Sequence, residues 1–188
     1  MPATRLLAAL GACCYPLAVF LGLQYFPPRA VGAALLLLFL LRYRRQSRAL
    51  WRDLAAAQRG ALLGMIVLSA LVALTGSALL LRLMPAFISL SMLWVFAHSL
   101  RHPPTMIERF ARQITPDLPP EGVAYTRRVT RVWCGFFVFN AAAALYTALP
   151  AGQDFWLWYN GLASYLLMGA LFAVEWLYRR WRFPEARA

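Results

Sequence analysis

Residues 125–154 read YTRRVTR, then VWCGFFVFNAAAALYTALPAGQ, then Asp154: three arginines within five positions, followed by 22 residues without a charge. That alternation decides the fold. A helix rises 1.5 Å per residue, so about 20 apolar residues cross a hydrocarbon core of roughly 30 Å. Working outward, 20 uncharged residues separate Asp154 from Glu175, and 18 separate Arg82 from Arg101. Further back, 22 separate Arg59 from Arg82 and 23 separate Arg5 from Arg29. The shortest run is the 12 residues between Arg29 and Arg42. It still spans if Pro27 and Pro28 start the helix and both arginines extend outward along their stems.

The spacing therefore predicts an all-α polytopic membrane protein with six transmembrane helices near residues 6–25, 27–42, 61–81, 84–101, 132–149 and 156–177. On length alone, the second of these is also compatible with a re-entrant or interfacial segment. The spans leave no room for a soluble domain, so residues 1–188 read as one membrane domain. Composition agrees. Of 188 residues 62% are hydrophobic and 14% charged, where a soluble domain carries about 45–50% and 25%.

The charge is lopsided, with 19 basic residues against 7 acidic ones, a net +12. Every basic residue is Arg. Such an excess is often a nucleic-acid footprint, but here topology accounts for it. With both termini inside, 17 arginines fall in cytoplasmic segments and two, Arg29 and Arg82, fall outside. Bacterial membrane proteins keep their arginines in cytoplasmic loops for this reason. The expected location is a bacterial inner membrane, and nucleic acid is not an expected partner. Leu10-Gly11-Ala12-Cys13 has the form of a lipoprotein cleavage box. Its apolar core, Leu6 to Leu10, falls short of the roughly 7–15 residues a signal peptide uses, so the first helix is expected to be retained. Cys13, Cys14 and Cys134 sit inside expected spans without metal-ligand spacing.

The longest polar segment runs from Arg101 to Arg131. Thr105 and Glu108 have capping-box spacing. Behind them Met106, Ile107, Phe110, Ala111 and Ile114 recur on one helical face, opposite Glu108, Arg109 and Arg112. This predicts a short cytoplasmic amphipathic helix. It either lies on anionic lipid or docks a partner, or it covers the bundle's end. A second helix starts at Leu118-Pro119-Pro120-Glu121 and can run unbroken into span five, projecting Arg127, Arg128 and Arg131. With Arg109 and Arg112, these form a candidate phosphate or carboxylate site. The plainer reading is anchoring to anionic headgroups, worth about 1 kcal/mol per residue.

Inside the spans, polar residues are few. Asn160, Ser164 and Glu175 fall within about 60° of one another at 100° per residue, one stripe on span six. Asn140 in span five faces either a binding site or a packing contact to span six. Ionisable residues in a span often mark function, which makes Glu175 a candidate, although Arg179 four residues on forms an ordinary supporting pair. Span three carries small residues at Ser69, Ala73, Gly76 and Ser77 that permit close helix approach. His98 and His102 are four apart, as in metal-binding pairs, but Pro103 disturbs the second and no third ligand is near. No metal and no cofactor are expected. The candidates for acid or base are Glu108, Glu175 and His98; the candidate binding residues are Arg109, Arg112, Arg127, Arg128, Arg131, Asn140, Asn160 and Ser164.

Three stretches, PPTMIERFAR from Pro103, PDLPPEGVAYTRRVTRVWCGFFVFN from Pro116 and WYNGLASYLLMGALFAVEW from Trp158, resemble a family of small bacterial inner-membrane proteins associated with aryl-polyene pigment gene clusters. The resemblance is clearest over residues 100–178. It implies work beside acyl-carrier proteins, ketosynthases and acyltransferases, and it brings no catalytic residue with it. The resulting expectation is an accessory membrane component that handles a lipid-like product and docks membrane lipid or an acidic acyl-carrier protein. The alternatives are an enzyme acting on a lipid-linked substrate and a small transporter, the latter built as a homo-oligomer.

Overall fold

The computed structural model describes residues 26–45, 56–149 and 153–182, all helices and short turns, with no strand among them. The chain forms α1 (Pro28–Arg45), α2 (Ala56–Thr75), α3 (Ala78–Arg101), the short α4 (Met106–Arg112) and α5 (Pro120–Ala148). The last helix comes in pieces: α6 (Gln153–Trp158), a π-helical turn (Tyr159–Ala163) and α7 (Ser164–Arg182). Four helices are long and apolar enough to cross a membrane: α2, α3, α5 and the segment Asp154–Arg182. Helix α1 is a shorter apolar helix over Pro28–Leu41. This is a membrane protein by the length and composition of its helices. The expected first span, residues 6–25, lies outside the described residues, as do Cys13 and Cys14.

Neighbouring helices run antiparallel. Between α1 and α2, a Cβ on Gly32 would meet Ala73 N at 2.6 Å, so the two backbones approach to a distance only glycine permits. Val72 is fully buried there, among Leu81, Met84, Val31 and Leu35. A larger cluster joins the other ends of α2 and α3 to α5: Ala57, Val95, Phe96, Val129, Trp133 and Phe137. Its rings meet edge-on or tilted, with Phe96 and Phe137 centroids 5.1 Å apart and Trp133 and Phe172 of α7 4.5 Å apart. Aromatic pairs of this kind contribute about 0.5–1.5 kcal/mol beyond area. That matters where lipid removes the hydrophobic drive between helices.

Several helix boundaries differ from the sequence reading. The third and fourth spans were expected at 61–81 and 84–101, but the chain turns earlier, at Gly76-Ser77. Gly76 takes φ +66°, which ends α2, and the Ser77 side chain accepts a hydrogen bond from Leu80 N to start α3. Charge spacing missed this because Arg82 is not a loop residue. It sits in the second turn of α3, where the Trp156 indole donates to its carbonyl at 2.9 Å. Gly76 and Ser77 accordingly form the turn and do not extend the small-residue face of Ser69 and Ala73. Helix α5 does run unbroken from Pro120 to Ala148, longer than the 132–149 span alone.

Candidate functional site

The described arginines divide by end. Thirteen of fifteen lie toward the end where α1 finishes and α2 begins; Arg29 and Arg82 lie at the other. The arginine-rich end is closed by α4. Its capping box forms as the spacing predicted: Thr105 Oγ1 accepts from Glu108 N at 3.4 Å, and Thr105 N donates to Glu108 Oε2 at 3.3 Å. Met106 and Ile107 pack on the aromatic cluster, and Met106 N donates to Ser99 Oγ at 3.0 Å. The helix stops at Arg112, so Ile114 lies beyond it and is 83% exposed, while Phe110 is half exposed. Glu108 was expected on the polar face. It is instead buried, because its carboxylate serves the cap and takes Arg112 Nε at 3.0 Å.

These bonds separate the candidate anion ligands into two groups. Arg112 also donates to the Pro116 carbonyl at 3.0 Å, and Arg109 Nε donates to the Pro104 carbonyl at 3.0 Å. Both side chains hold the connector's own backbone. Arg127, Arg128 and Arg131 are exposed on α5. The five candidate arginines therefore differ in what holds them, two bonded within the connector and three exposed on α5.

A different grouping appears where α5 begins and α7 ends. The Tyr125 hydroxyl donates to Glu175 Oε1 at 3.0 Å, and Arg179 Nε lies 3.5 Å from the same oxygen. The Tyr125 and Tyr178 rings stack at 6.1 Å. Beside them opens a cleft of about 180 Å³ lined by Glu121, Ala124, Tyr125, Arg128 and Arg182. Tyr125 and Arg182 were not singled out from the sequence. Their positions are fixed by chain packing between residues some 50 apart, for which no local pattern exists.

Deeper in the bundle, Asn140 is a three-helix junction. Its Nδ2 donates to Ser89 Oγ of α3 at 2.9 Å, and the Tyr159 hydroxyl donates to its Oδ1 at 3.0 Å. Asn160 Nδ2 donates to Thr147 Oγ1 at 3.1 Å and to the Trp156 carbonyl at 3.0 Å. Ser164 Oγ donates to the Asn160 carbonyl at 3.3 Å. These contacts tie α5 to the π turn, in which Ser164 N bonds Tyr159 O across five residues. The wider turn breaks the 100° count between Asn160 and Glu175. Asn160 and Ser164 belong to this junction, and Glu175 belongs to the cleft end. The expected single stripe is thus two separate contacts.

His98 and His102 stack with ring centroids 4.2 Å apart, and His102 Nδ1 lies 3.2 Å from the His98 carbonyl. His102 has left helical geometry (φ −127°, ψ 81°), as Pro103 requires. Among the described residues, no group of three or more His, Cys, Asp or Glu side chains is placed to hold a metal ion. No family model, curated protein or solved structure matches the chain.

Proposed function

We propose that this chain is a six-span bacterial inner-membrane protein with both termini in the cytoplasm. In this reading it is an accessory component in the making or handling of a lipid-like product of the aryl-polyene type. Its arginine-rich end faces the cytoplasm and docks an acidic acyl-carrier protein, with anionic lipid as the surrounding partner. The observation that carries the reading is the sidedness of the arginines. Arg127, Arg128 and Arg131 project from one helix without an ion-pair partner among the described residues. Opposite charge steers such encounters and weakens with salt.

Co-purification with the cognate carrier protein at low salt tests it. The wild type retains the carrier and releases it as salt rises. A chain with Arg109, Arg112, Arg127 and Arg128 all changed to Glu loses it. Retention by that variant, still folded and in the membrane, rejects docking.

A second reading, an enzyme acting on a lipid-linked substrate, draws support from one feature. Tyr125 and Glu175 bond to each other beside a cleft at the expected membrane surface. Complementation decides it: Glu175→Gln abolishes product formation if the carboxylate moves a proton and leaves it intact if the pair only holds α5 to α7. Glu108→Gln and His98→Ala complete the set.

A further inference from the structure

We infer that the cleft between the start of α5 and the end of α7 seats one phospholipid headgroup, a phosphodiester that carries an amine. The inference rests on the reading of this end as the one at a membrane surface, and it does not depend on carrier docking. Glu121, Ala124 or Tyr125, and Arg128 recur at the spacing of one helical face, and Arg182 closes the cleft from α7. Arg128 and Arg182 supply two guanidinium forks, the side chain best matched to phosphate oxygens. Glu121 supplies one carboxylate, which opposes a ligand of several negative charges and suits a ligand ammonium.

The lining therefore complements one phosphate and one amine. Its volume decides the size class. At about 180 Å³ it is below the roughly 300–1,000 Å³ of sites that enclose a drug-sized molecule, and it accommodates a headgroup whose acyl chains stay outside. On α7, Val174 lies about two turns toward the membrane from Arg182 and about 80° around the helix, and it is exposed, which gives the chains an apolar start. A lipid of the ethanolamine class meets each requirement. A glycerol headgroup meets only the phosphate requirement.

The test uses the full chain in bilayer nanodiscs with equal ethanolamine and glycerol phospholipids, followed by mild detergent and native mass spectrometry of retained lipid. The wild type keeps one ethanolamine lipid, about tenfold over the glycerol lipid, the factor set by one charged contact of about 1.4 kcal/mol. Glu121→Gln keeps a lipid but loses the preference. The Arg128→Gln, Arg182→Gln double variant loses both, and Arg101→Gln, exposed at the same end but outside the cleft and the docking set, behaves as wild type. Ala124→Phe fills the cleft without altering charge and releases the lipid. Soluble phosphoethanolamine fails to displace it at concentrations where an added ethanolamine lipid succeeds.

Equal retention of the two lipids by the wild type overturns the inference, as does retention by the double variant or by Ala124→Phe. Displacement by the soluble compound assigns the cleft to a free phosphate ester and overturns the lipid assignment. Recovery of the wild type in the soluble fraction without detergent defeats the membrane reading itself. A membrane-bound chain without headgroup preference defeats only the headgroup assignment.

Discussion

The Tyr125 hydroxyl and the Glu175 carboxylate meet at 3.0 Å from helices that are 50 positions apart in the chain. A hydrogen bond to a charged group contributes about 1.5–3 kcal/mol, less where solvent reaches it, and the Glu175 side chain is one-fifth exposed. Tyr125→Phe is expected to cost about 1 kcal/mol in thermal unfolding of the detergent-purified protein. Glu175→Gln, which keeps an acceptor, costs less. A double-mutant cycle that shows no coupling between the two positions would reject the bond.

Asn140→Leu removes two interhelical bonds and strands the Tyr159 hydroxyl. Such bonds average well under 2 kcal/mol in membrane proteins, so a loss of about 1 kcal/mol is expected by the same melt. Adding Tyr159→Phe to Asn140→Leu should recover part of the loss, because it removes the stranded donor. Purely additive losses would count against the junction.

Two glycines give opposite expectations. Gly32→Ala forces α1 away from the Val72–Ala73 backbone and is expected to destabilise by about 1–3 kcal/mol. Gly60 has open space around its missing Cβ. Gly60→Ala is expected to be neutral or to stabilise by up to about 1 kcal/mol through helix propensity. Melting temperatures of the two variants, measured side by side, check the pair.

Thr105→Ala removes the cap of α4 and is expected to cost about 1 kcal/mol, concentrated in the connector. Limited proteolysis reads it: trypsin cuts after Arg109 or Arg112 faster in the variant, while cleavage after Arg59 stays unchanged. Equal rates at all sites would mean the cap does not hold the segment.

Much of the fold was legible because the bilayer imposes a length on uncharged runs, and the capping box and the unbroken α5 were legible because both are local. The turn at Gly76-Ser77 was hidden for a physical reason. An arginine inside a helix looks, in a charge count, like a loop residue, and Arg82 sits in the second turn of α3. The candidate site was less legible. Glu108, Arg109 and Arg112 looked available in sequence because nothing local tells a solvent-facing charge from one committed to a cap or a carbonyl. Tyr125, Tyr159, Arg182 and Ser89 had no signal, since their partners lie on other helices. Asn140 was the exception: an amide in an apolar span needs partners, and it has two.

The π turn at Tyr159–Ala163 makes the last helix a spliced shaft. One extra residue sets the angle between its upper half, aligned on Asn140 and Thr147, and its lower half, aligned on Trp133 and Tyr125. The same residues wound as an ordinary α-helix would turn one half against the other by about 100°. Only one of the two alignments would survive. The π turn thus keeps both in phase, and a single-residue deletion within it, which leaves an ordinary helix with both halves still aligned, should be far milder than the same deletion in the middle of α7.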